Sequence, residues 1–342
     1  MKYLIYGGPG IGDTIIEFAL AKGIKKNDPN AQVDLLISGK LGTEKLIQEL
    51  VDCQHYVDHL YSISKKDFWK TAKTMLKLLC RRYHYGFACT TEFKATAKPV
   101  MLFRLLGCKS VVKSNNGKSG KADILVDVPE DIHFVEQNGA LLKAIGYDSK
   151  LDLDVLDTQT VRDLFPVHRD GKKVVTICLG TNITIYWKDG KPIAKNIKEW
   201  PVENWVSVAN KLSEQGYQVV VIGGRKEKEG LQSANLHLYR DVLILAGETS
   251  IKQSLSILAQ SDLVLGADTG MMHCAAALDK HTVTLFGGTA PNVWKPYSDS
   301  AEVITGMCAC APCYGKEHAI ECTERRCMLA ITVEDILNRI QC

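Results

Sequence analysis

The sequence predicts an α/β protein built from two similar domains, each a parallel sheet covered by helices on both faces. Its 342 residues are too many for one ordinary domain and suit two. Apolar segments alternate with segments of helical periodicity, which indicates parallel strands that are buried on both sides. The alternation runs once before and once after a polar segment at 147–172, which contains several Asp residues, Pro166 and Gly171. We interpret that segment as a linker.

The first half of the chain is predicted to hold four strands and five helices. Short apolar runs predict the strands, and apolar positions three or four residues apart predict the helices. In chain order these are a strand at 2–6, a helix at 13–26, a strand at 32–37, helices at 43–50 and 66–81, a strand at 87–90, a helix at 99–106, a strand at 110–112 and a helix at 132–145.

The same alternation predicts four strands and four helices in the second half. In chain order these are a strand at 173–178, a helix at 202–214 that is opened by Pro201, a strand at 218–222, a helix at 251–259, a strand at 262–265, a helix at 270–278, a strand at 282–286 and a helix at 333–340. Ligands of such sheets bind at the carboxyl ends of the strands. We therefore expect the site in the loops that follow Tyr6, Cys178, Ile222, Leu265 and Phe286.

The overall composition is that of an ordinary globular protein, with 46% hydrophobic and 24% charged residues. This balance excludes a disordered, collagenous or coiled-coil chain. No apolar run reaches the roughly 20 residues that span a bilayer, and the N-terminus shows no signal peptide. We therefore expect a cytoplasmic protein.

The net charge of +3 conceals a strongly basic segment at 64–121. This segment holds fourteen Lys or Arg residues against two acids, Asp67 and Glu92, which is a net +12. Such a segment indicates an anionic partner, either nucleic acid, a membrane surface or a phosphorylated substrate. Nucleic acid is disfavoured, because no recognition motif accompanies the segment and its aromatic residues do not alternate with its basic ones.

A basic amphipathic helix is predicted within this segment. One side is apolar and the other is cationic: Phe68, Ala72, Met75, Leu76 and Leu79 lie opposite Lys66, Lys70, Lys73, Lys77 and Arg81. Two interpretations remain open. The helix packs on a sheet with its lysines in water, or it contacts an anionic membrane surface or acceptor.

A glycine-rich loop at 7–14 follows the first strand and opens the first helix. It does not fit a dinucleotide fingerprint, because Asp13 stands where the third glycine belongs and no acid follows the second strand to bind a ribose. It does not fit an NTPase phosphate loop, because Asp13 stands in place of the lysine and repels phosphate. An ionised carboxylate at a helix N-terminus suits a general base or a helix cap. The residues alone leave both roles open.

Three residues at the end of an apolar strand, Asp268, Thr269 and Gly270, lead into a helix whose N-terminal amides form a ready anion site. Asp268 is placed to accept hydrogen bonds from sugar hydroxyls or to hold the turn. Thr289, after the next strand, is placed to contact phosphates bound at this anion site. His273 lies about one turn into the helix, and it is either a ligand contact or a packing residue.

The loop after Cys178 supplies two further candidates for this site. It contains Thr181 near its start and Lys198 near its end, three residues before Pro201. A cation in that place suits the neutralisation of a diphosphate leaving group. The alternative is that Lys198 is one more exposed lysine.

Twelve cysteines are the unusual feature of the composition, and five of them crowd into 308–327. A secreted disulfide scaffold is disfavoured, because such chains are short and carry a leader. Four thiolates have spacings that suit zinc or iron, although these are looser than in a zinc ribbon: Cys310, Cys313, Cys322 and Cys327. The alternative is a set of reduced cysteines.

Taken together, these motifs resemble glycosyltransferase family 9, the heptosyltransferases of lipopolysaccharide assembly, over nearly the whole chain. The residues that carry the resemblance are Gly10-Ile11-Gly12-Asp13, Lys198-Glu199-Trp200-Pro201 with Trp205 and 216–220, residues 268–277 followed by 285–289 with Pro291 and Trp294, and the tail from Cys308 to Met328 with Ile331 and Val333. Residues 268–277 are the most specific match.

The resemblance implies a GT-B fold, in which two Rossmann-like domains with parallel sheets face a central cleft. The domains are then 1–165 for the acceptor and 172–330 for the donor, the latter with the cysteine-rich loop 308–327. A terminal helix at 331–342 crosses back to the first domain. The implied reaction is metal-independent and inverting, and it transfers a heptose from ADP-heptose to a hydroxyl of the lipopolysaccharide inner core.

Roles for individual residues also follow from the resemblance. Asp13 is the general base, Lys198 contacts the diphosphate, and Asp268 holds the sugar or ribose. The rest of the donor site is Thr269, Gly270, His273, Thr289 and Thr181, and the acceptor site is Gly10, Gly12, Lys94, Lys98 and Arg104. The partners are then ADP-heptose and an anionic glycolipid, with peripheral contact to the inner membrane and no nucleic acid.

Two alternatives to this function remain. Some relatives that glycosylate autotransporter proteins carry an iron-binding cysteine finger, so the cysteine cluster also suits a heptosyltransferase that modifies a protein acceptor and holds structural zinc or iron. A non-enzymatic nucleotide- or nucleic-acid-binding module that uses the basic segment 64–121 is the second alternative.

Overall fold

The computed structural model describes residues 1–39, 43–64, 66–89, 97–115, 122–181, 184–188, 191–234, 239, 241–314 and 316–340. The chain divides into two compact units, Met1–Asp157 and Thr158–Cys342. Each unit contains one six-stranded sheet in which every paired strand is parallel. The prediction of two α/β units with parallel sheets is confirmed.

The first unit alternates strands and helices along its whole length. Its elements are β1 (Lys2–Gly7), α1 (Ile11–Asn27), β2 (Gln32–Ser38), α2 (Thr43–Val51), β3 (His59–Ile63), α3 (Phe68–Arg81), β4 (Tyr85–Ala88), α4 (Ala97–Leu105), β5 (Ser110–Ser114), β6 (Ile124–Val126) and α5 (Phe134–Lys143). The sheet order is β3-β2-β1-β4-β5-β6. The chain therefore reverses its direction of travel across the sheet between β1 and β4.

The second unit repeats this plan. Its elements are α6 (Thr158–Arg162), β7 (Val174–Cys178), β8 (Thr184–Lys188), β9 (Lys191–Lys195), α7 (Val202–Glu214), β10 (Gln218–Ile222), α8 (Arg225–Ser233), β11 (Leu243–Ile244), α9 (Ile251–Gln260), β12 (Leu263–Ala267), α10 (Gly270–Ala277), β13 (His281–Phe286), α11 (Pro291–Trp294), β14 (Ala301–Thr305), α12 (Arg326–Leu329) and α13 (Val333–Ile340). The sheet order is β11-β10-β7-β12-β13-β14, and β8 and β9 form a separate antiparallel hairpin.

The segment that we interpreted as a polar linker is largely part of the packed units. Leu151, Leu153 and Val155 are buried, while Asp152 and Asp154 between them are exposed. Alternating leucine and aspartate thus place one side of the segment in the core. Further on, the Phe165 amide donates to Ser256 Oγ of α9 at 3.0 Å. The boundary between the two units lies within the predicted segment, but the aspartates concealed the alternation by which its residues pack.

The basic helix is present as α3, but the stripe that packs shares only Met75 with the predicted one. Thr74 and Leu78 are its buried residues, and Leu78 joins a core that contains Phe103 of α4. Phe68, Leu76 and Leu79, predicted to face the sheet, are instead exposed. The helix has apolar residues on two sides, so periodicity did not identify the side that packs.

The terminal helix α13 packs on α7 of the second unit. Ile336 and Leu337 share one buried core with Trp200 and Trp205, and the Trp200 indole donates to the Ile331 carbonyl at 3.1 Å. Its predicted return to the first domain stays a prediction, as do the domain bounds. In the described part of the chain no helix is both long and apolar enough to cross a membrane.

Close packing of α5 against the following loop makes one glycine a sensitive position. A Cβ at Gly139 lies 2.2 Å from the Ser149 carbonyl oxygen, whereas a Cβ at Gly230 of α8 meets nothing within 4 Å. We expect Gly139→Ala to lower the free energy of unfolding by about 1–3 kcal/mol through overpacking. Gly230→Ala, the control, raises it by about 0.5–1 kcal/mol. Urea denaturation measures both, and equal stability of Gly139→Ala and wild type contradicts this packing.

Candidate functional site

The candidate residues lie at the carboxyl edges of the two sheets, beside the points where the strand order reverses. In the first unit, the loop after β1 carries Asp13 and Cys89 directly follows β4. In the second unit, the loop after β7 carries Thr181 and Asp268 directly follows β12. Such reversal points are where open α/β sheets bind their ligands. The topology therefore supports the loops that the sequence predicted.

Asp13 lies in the first turn of α1, inside a glycine loop that leaves no room for other side chains. A Cβ at Gly8 or at Gly10 lies 2.6 Å from Asp13 Oδ2. Gly10 is the residue that precedes the helix and caps it, in extended conformation. Asp13 therefore is not the N-cap residue, although an acid in the first turn still interacts favourably with the helix dipole. It is partly exposed.

A second acid, Glu17, holds this loop through a hydrogen bond and was not singled out from the sequence. It is fully buried one turn after Asp13, and its Oε1 accepts the Gly8 amide hydrogen at 2.7 Å. A Cβ at Gly7 lies 2.0 Å from its carboxyl carbon. Burial, with the charges of Glu17 and Asp13, raises the pKa of the Cys89 thiol, so Cys89 is neutral. The signal that could have identified Glu17 in the sequence is its spacing of four residues from Asp13, because residues four apart are neighbours on a helix.

The predicted acceptor residues are dispersed in the first unit. Gly10 and Gly12 belong to the Asp13 loop and the first turn of α1. Lys98 is exposed near the start of α4, and Arg104 at its end donates to Asp123 at 2.7 Å. Lys94 lies outside the described residues. An acceptor role for these residues stays a prediction.

A buried ion pair and a hydroxyl form the centre of the site in the second unit. Lys198 Nζ lies 2.7 Å from Asp268 Oδ2, with exposed side-chain fractions of 17% and 6%. The Thr289 hydroxyl donates to the same oxygen at 2.7 Å. The structure therefore brings together three residues that the sequence singled out separately, and Asp268 is satisfied although it is buried.

The start of α10 adds backbone donors next to this ion pair. Thr269 is its N-cap residue and makes no capping hydrogen bond to the helix with its side chain. Gly270 is the first residue of the helix, where amide groups lack partners within the helix. Thr181 donates to Asn196 Oδ1 at 2.6 Å. Hydroxyl, amide and ammonium groups are the donors that bind phosphate oxygens.

His273 is buried on α10, with 4% of its surface exposed. Its Nδ1 atom has no hydrogen-bond partner. Burial lowers the pKa of His273 to about 4, against an opposing effect of the Asp268 charge. The imidazole is therefore neutral at physiological pH and adds no charge beside the ion pair.

The cysteine-rich loop contacts this site. The Gly288 carbonyl accepts the amide hydrogens of both Cys313 and Tyr314, at 2.8 and 2.7 Å. Lys198 Nζ lies 5.6 Å from the centre of the Tyr314 ring, within the range of a cation–π contact. Tyr314 was not predicted as a site residue, because 116 positions separate it from Lys198.

A cavity of about 570 Å³ lies beside the same loops. Its lining comes from the stretch after β13, which gives Gly287, Thr289 and Pro291, and from the end of β14 with the segment that follows it, which gives Thr305, Gly306, Met307, Cys308, Ala309, Ala311 and Pro312. Ligand pockets for small molecules and cofactors have volumes of roughly 300–1,000 Å³. The cavity is thus large enough for a nucleotide-sized ligand.

The four predicted metal ligands do not form a metal centre in this structure. Among the described residues, no three His, Cys, Asp or Glu side chains form a group that could hold a metal ion. Cys313 and Cys327 are buried in separate hydrophobic clusters. Cys310 instead contacts Cys308, with 3.2 Å between their sulfur atoms, while Cys322 is half-buried. In this arrangement the described side chains present no set of three ligands to zinc or iron.

Comparison with known proteins identifies related sequences. The family model for glycosyltransferase family 9 (heptosyltransferase) matches residues 117–324. Lipooligosaccharide heptosyltransferase 2 of Haemophilus influenzae is 32% identical over 313 residues, which is 89% of this chain and 88% of the relative. Lipopolysaccharide heptosyltransferase 2 of Salmonella typhimurium is 36% identical over 111 residues. That match covers 31% of this chain and spans only 32% of the relative's length.

Solved structures share the fold along the whole chain. Escherichia coli ADP-heptose lps heptosyltransferase II has a TM-score of 0.72 at 21% identity, covering 100% of this chain and 98% of that one. The E. coli heptosyltransferase WaaC with ADP has a TM-score of 0.74 at 16% identity, covering 100% and 99%. The iron-containing dodecameric glycosyltransferase TibC has a TM-score of 0.53 at 12% identity, covering 99% and 75%. These likenesses confirm the predicted fold class.

The buried His273 predicts a pH dependence of stability. Its pKa is about 4 in the folded protein against 6.5 ordinarily, so between these values the unfolded chain binds more protons. Stability therefore falls as the pH drops through this window. We expect the free energy of unfolding of wild type, relative to His273→Leu, to decrease by about 2 kcal/mol from pH 7 to pH 5. Urea denaturation at both pH values measures this, and a difference that does not vary with pH contradicts it.

Proposed function

Because this chain belongs to glycosyltransferase family 9, we propose that it is an inverting glycosyltransferase that moves a heptose from ADP-heptose to a hydroxyl of the lipopolysaccharide inner core. The observation that carries the proposal is the buried cluster of Lys198, Asp268 and Thr289 at the start of α10, beside a cavity of about 570 Å³. The relative solved with ADP, which shares the fold along the whole chain, supports an adenine nucleotide as the donor.

The second unit holds the donor in this proposal. The diphosphate carries negative charge that increases when its bond to the sugar breaks, so it needs cationic and amide donors. Lys198 supplies the ammonium group, and the amides of Thr269 and Gly270 supply the helix N-terminus. Asp268 holds Lys198 in place and accepts hydrogen bonds from donor hydroxyls. Thr289 fixes the orientation of the carboxylate.

The first unit supplies the base in this proposal. Asp13 removes the proton of the acceptor hydroxyl as its oxygen attacks the anomeric carbon. The new carbon–oxygen bond forms on the face opposite the leaving group, and ADP departs with the electrons of the broken bond. The partly exposed carboxylate, next to glycines whose places a larger side chain could not take, supports this role. A metal ion has no part in these steps.

The acceptor is an anionic glycolipid in this proposal, and the protein acts in the cytoplasm at the inner membrane. The basic segment 64–121 supports an acceptor that carries phosphate or carboxylate groups. Within it, Lys98 is exposed and Arg104 is half-exposed. The lipid part of such an acceptor stays in a bilayer, so one surface of the enzyme must approach the membrane.

A variant of the base tests the mechanism. Asp13→Asn keeps the shape of the side chain but does not accept the proton, so we expect kcat to fall by about 10²–10⁴-fold. ADP-heptose binding, measured by calorimetry, stays within about twofold of wild type, because the donor contacts lie elsewhere. Asp152→Asn, an exposed carboxylate in the same unit, is the matched control. Both are assayed with a chelator present, and transfer at the wild-type rate by Asp13→Asn contradicts the assignment.

A charge variant tests the donor site. We expect Lys198→Met to weaken ADP-heptose binding about 100-fold, since a charge-assisted hydrogen bond contributes about 1.5–3 kcal/mol. The double variant Lys198→Met/Asp268→Asn removes both charges of the pair. We expect it to recover the stability that Lys198→Met loses, but not the binding of ADP-heptose. Lys211→Met is the control, because Lys211 pairs with Glu334 on the exposed surface. Unchanged binding by Lys198→Met rules out the proposed diphosphate contact.

A further inference from the structure

Helix α3 presents apolar side chains to solvent as well as to the core. Thr74 and Leu78 face inward and are buried. On the opposite side, Trp69 is 81% exposed and Leu76 is 65% exposed, and Phe68 and Leu79 on their flank are 72% and 48% exposed. Phe68 and Trp69 contact each other edge to face, with ring centres 5.6 Å apart. An ordinary helix that packs on a sheet would place polar residues there.

Helix α4 shows the same arrangement on the same face of the sheet. Its Val100 and Phe103 are buried in the cluster that also contains Leu78 of α3. Met101 and Leu105, on its other side, are 75% and 67% exposed. Because both helices pack on one core, their opposite sides point away from that core. We call these six exposed side chains the outer face: Phe68, Trp69, Leu76, Leu79, Met101 and Leu105.

Lysines without an ion-pair partner border the outer face. Lys73 and Lys77 of α3 and Lys98 of α4 are exposed. The ion pairs among the described residues leave these three lysines uncompensated, whereas Lys70 pairs with Glu44 and Arg104 with Asp123. On a helical projection of α3, Lys73 and Lys77 lie beside Trp69 and Leu76. Among the residues that the structure describes, no acid forms an ion pair with these three border lysines, so their positive charge is available to a partner.

We propose that the outer face is the surface by which this protein docks on an anionic lipid bilayer. Apolar side chains flanked by lysines on surface helices are the arrangement that lies in a membrane interface. Trp is enriched in membrane interfaces, because its ring is apolar and its N–H donates to water or headgroups. The uncompensated lysines match the negative charge of lipid headgroups. The docking surface stands on these side chains alone, and its link to a glycolipid acceptor rests on the proposed function.

Vesicle flotation with the full chain tests the proposal. We expect wild type to float with vesicles of phosphatidylglycerol and phosphatidylcholine, to bind far less to phosphatidylcholine alone, and to be released by high salt. Trp69→Ala/Leu76→Ala weakens binding about tenfold or more. Lys73→Gln/Lys77→Gln weakens it about 5-fold for each lysine. No binding of wild type to the anionic vesicles overturns the proposal.

Two control variants make the assay specific for the outer face. Leu164→Ala removes an exposed leucine of the second unit, and Lys143→Gln removes an exposed lysine of α5. Both are expected to bind as wild type does. Equal weakening by the controls and the outer-face variants contradicts the assignment. So does a wild-type dimer that Trp69→Ala/Leu76→Ala dissociates in light scattering, because the outer face is then an interface between two copies.

A fluorescence measurement locates the contact without any variant that changes charge. Trp69 is one of five tryptophans, and its emission is expected to shift to shorter wavelength when anionic vesicles are added. Trp69→Phe abolishes the shift while it keeps an aromatic anchor. A shift of the same size in Trp69→Phe assigns the contact to another part of the chain and overturns the proposal.

Transfer assays separate this proposal from the proposed function. If both hold, Trp69→Ala/Leu76→Ala transfers sugar normally to a water-soluble acceptor that lacks lipid chains, and slowly to the same acceptor in vesicles. A loss of both rates shows that the outer face belongs to the catalytic machinery and contradicts a docking role. Absence of transfer by wild type, with intact vesicle binding, refutes the proposed function alone.

Discussion

The ion pair between Lys198 and Asp268 is the interaction around which the second unit is organised. A buried carboxylate is costly unless it is paired and hydrogen-bonded, and Asp268 has both an ammonium and a hydroxyl on one oxygen. The partners come from three separate loops, since Asp268 follows β12, Thr289 follows β13 and Lys198 precedes α7. Their positions are thus coupled, and the loops at this edge of the sheet are held in one arrangement.

Both units place polar groups where their strand order reverses, but the groups differ in charge. Each reverses its strand order beside the first strand. In the first unit, glycines at that point make room for the carboxylate of Asp13, and the buried Glu17 holds their loop. In the second unit, an ammonium group and the start of a helix lie at the corresponding edge. One edge therefore suits proton removal, and the other suits an anionic leaving group.

Much of the fold was predictable from the sequence, because buried parallel strands and amphipathic helices have strong periodicity. The bounds of α7, β10 and α13 agree with the predictions. The edge strands β3, β6, β11 and β14 were not predicted, since they are short or only half-buried. Individual site residues were found from their places after strands, but the pairing of Lys198 with Asp268 was not, because 70 positions separate them. For α3, periodicity located the helix and not its packed side, since apolar residues occur on both.

The Gly288 carbonyl, which accepts from the amides of both Cys313 and Tyr314, joins the cysteine-rich loop to the loop after β13. These two loops are held together by hydrogen bonds, although about 25 residues separate Gly288 from Cys313. In a chimera of two family members, the loop after β13 and the cysteine-rich loop would have to be exchanged together.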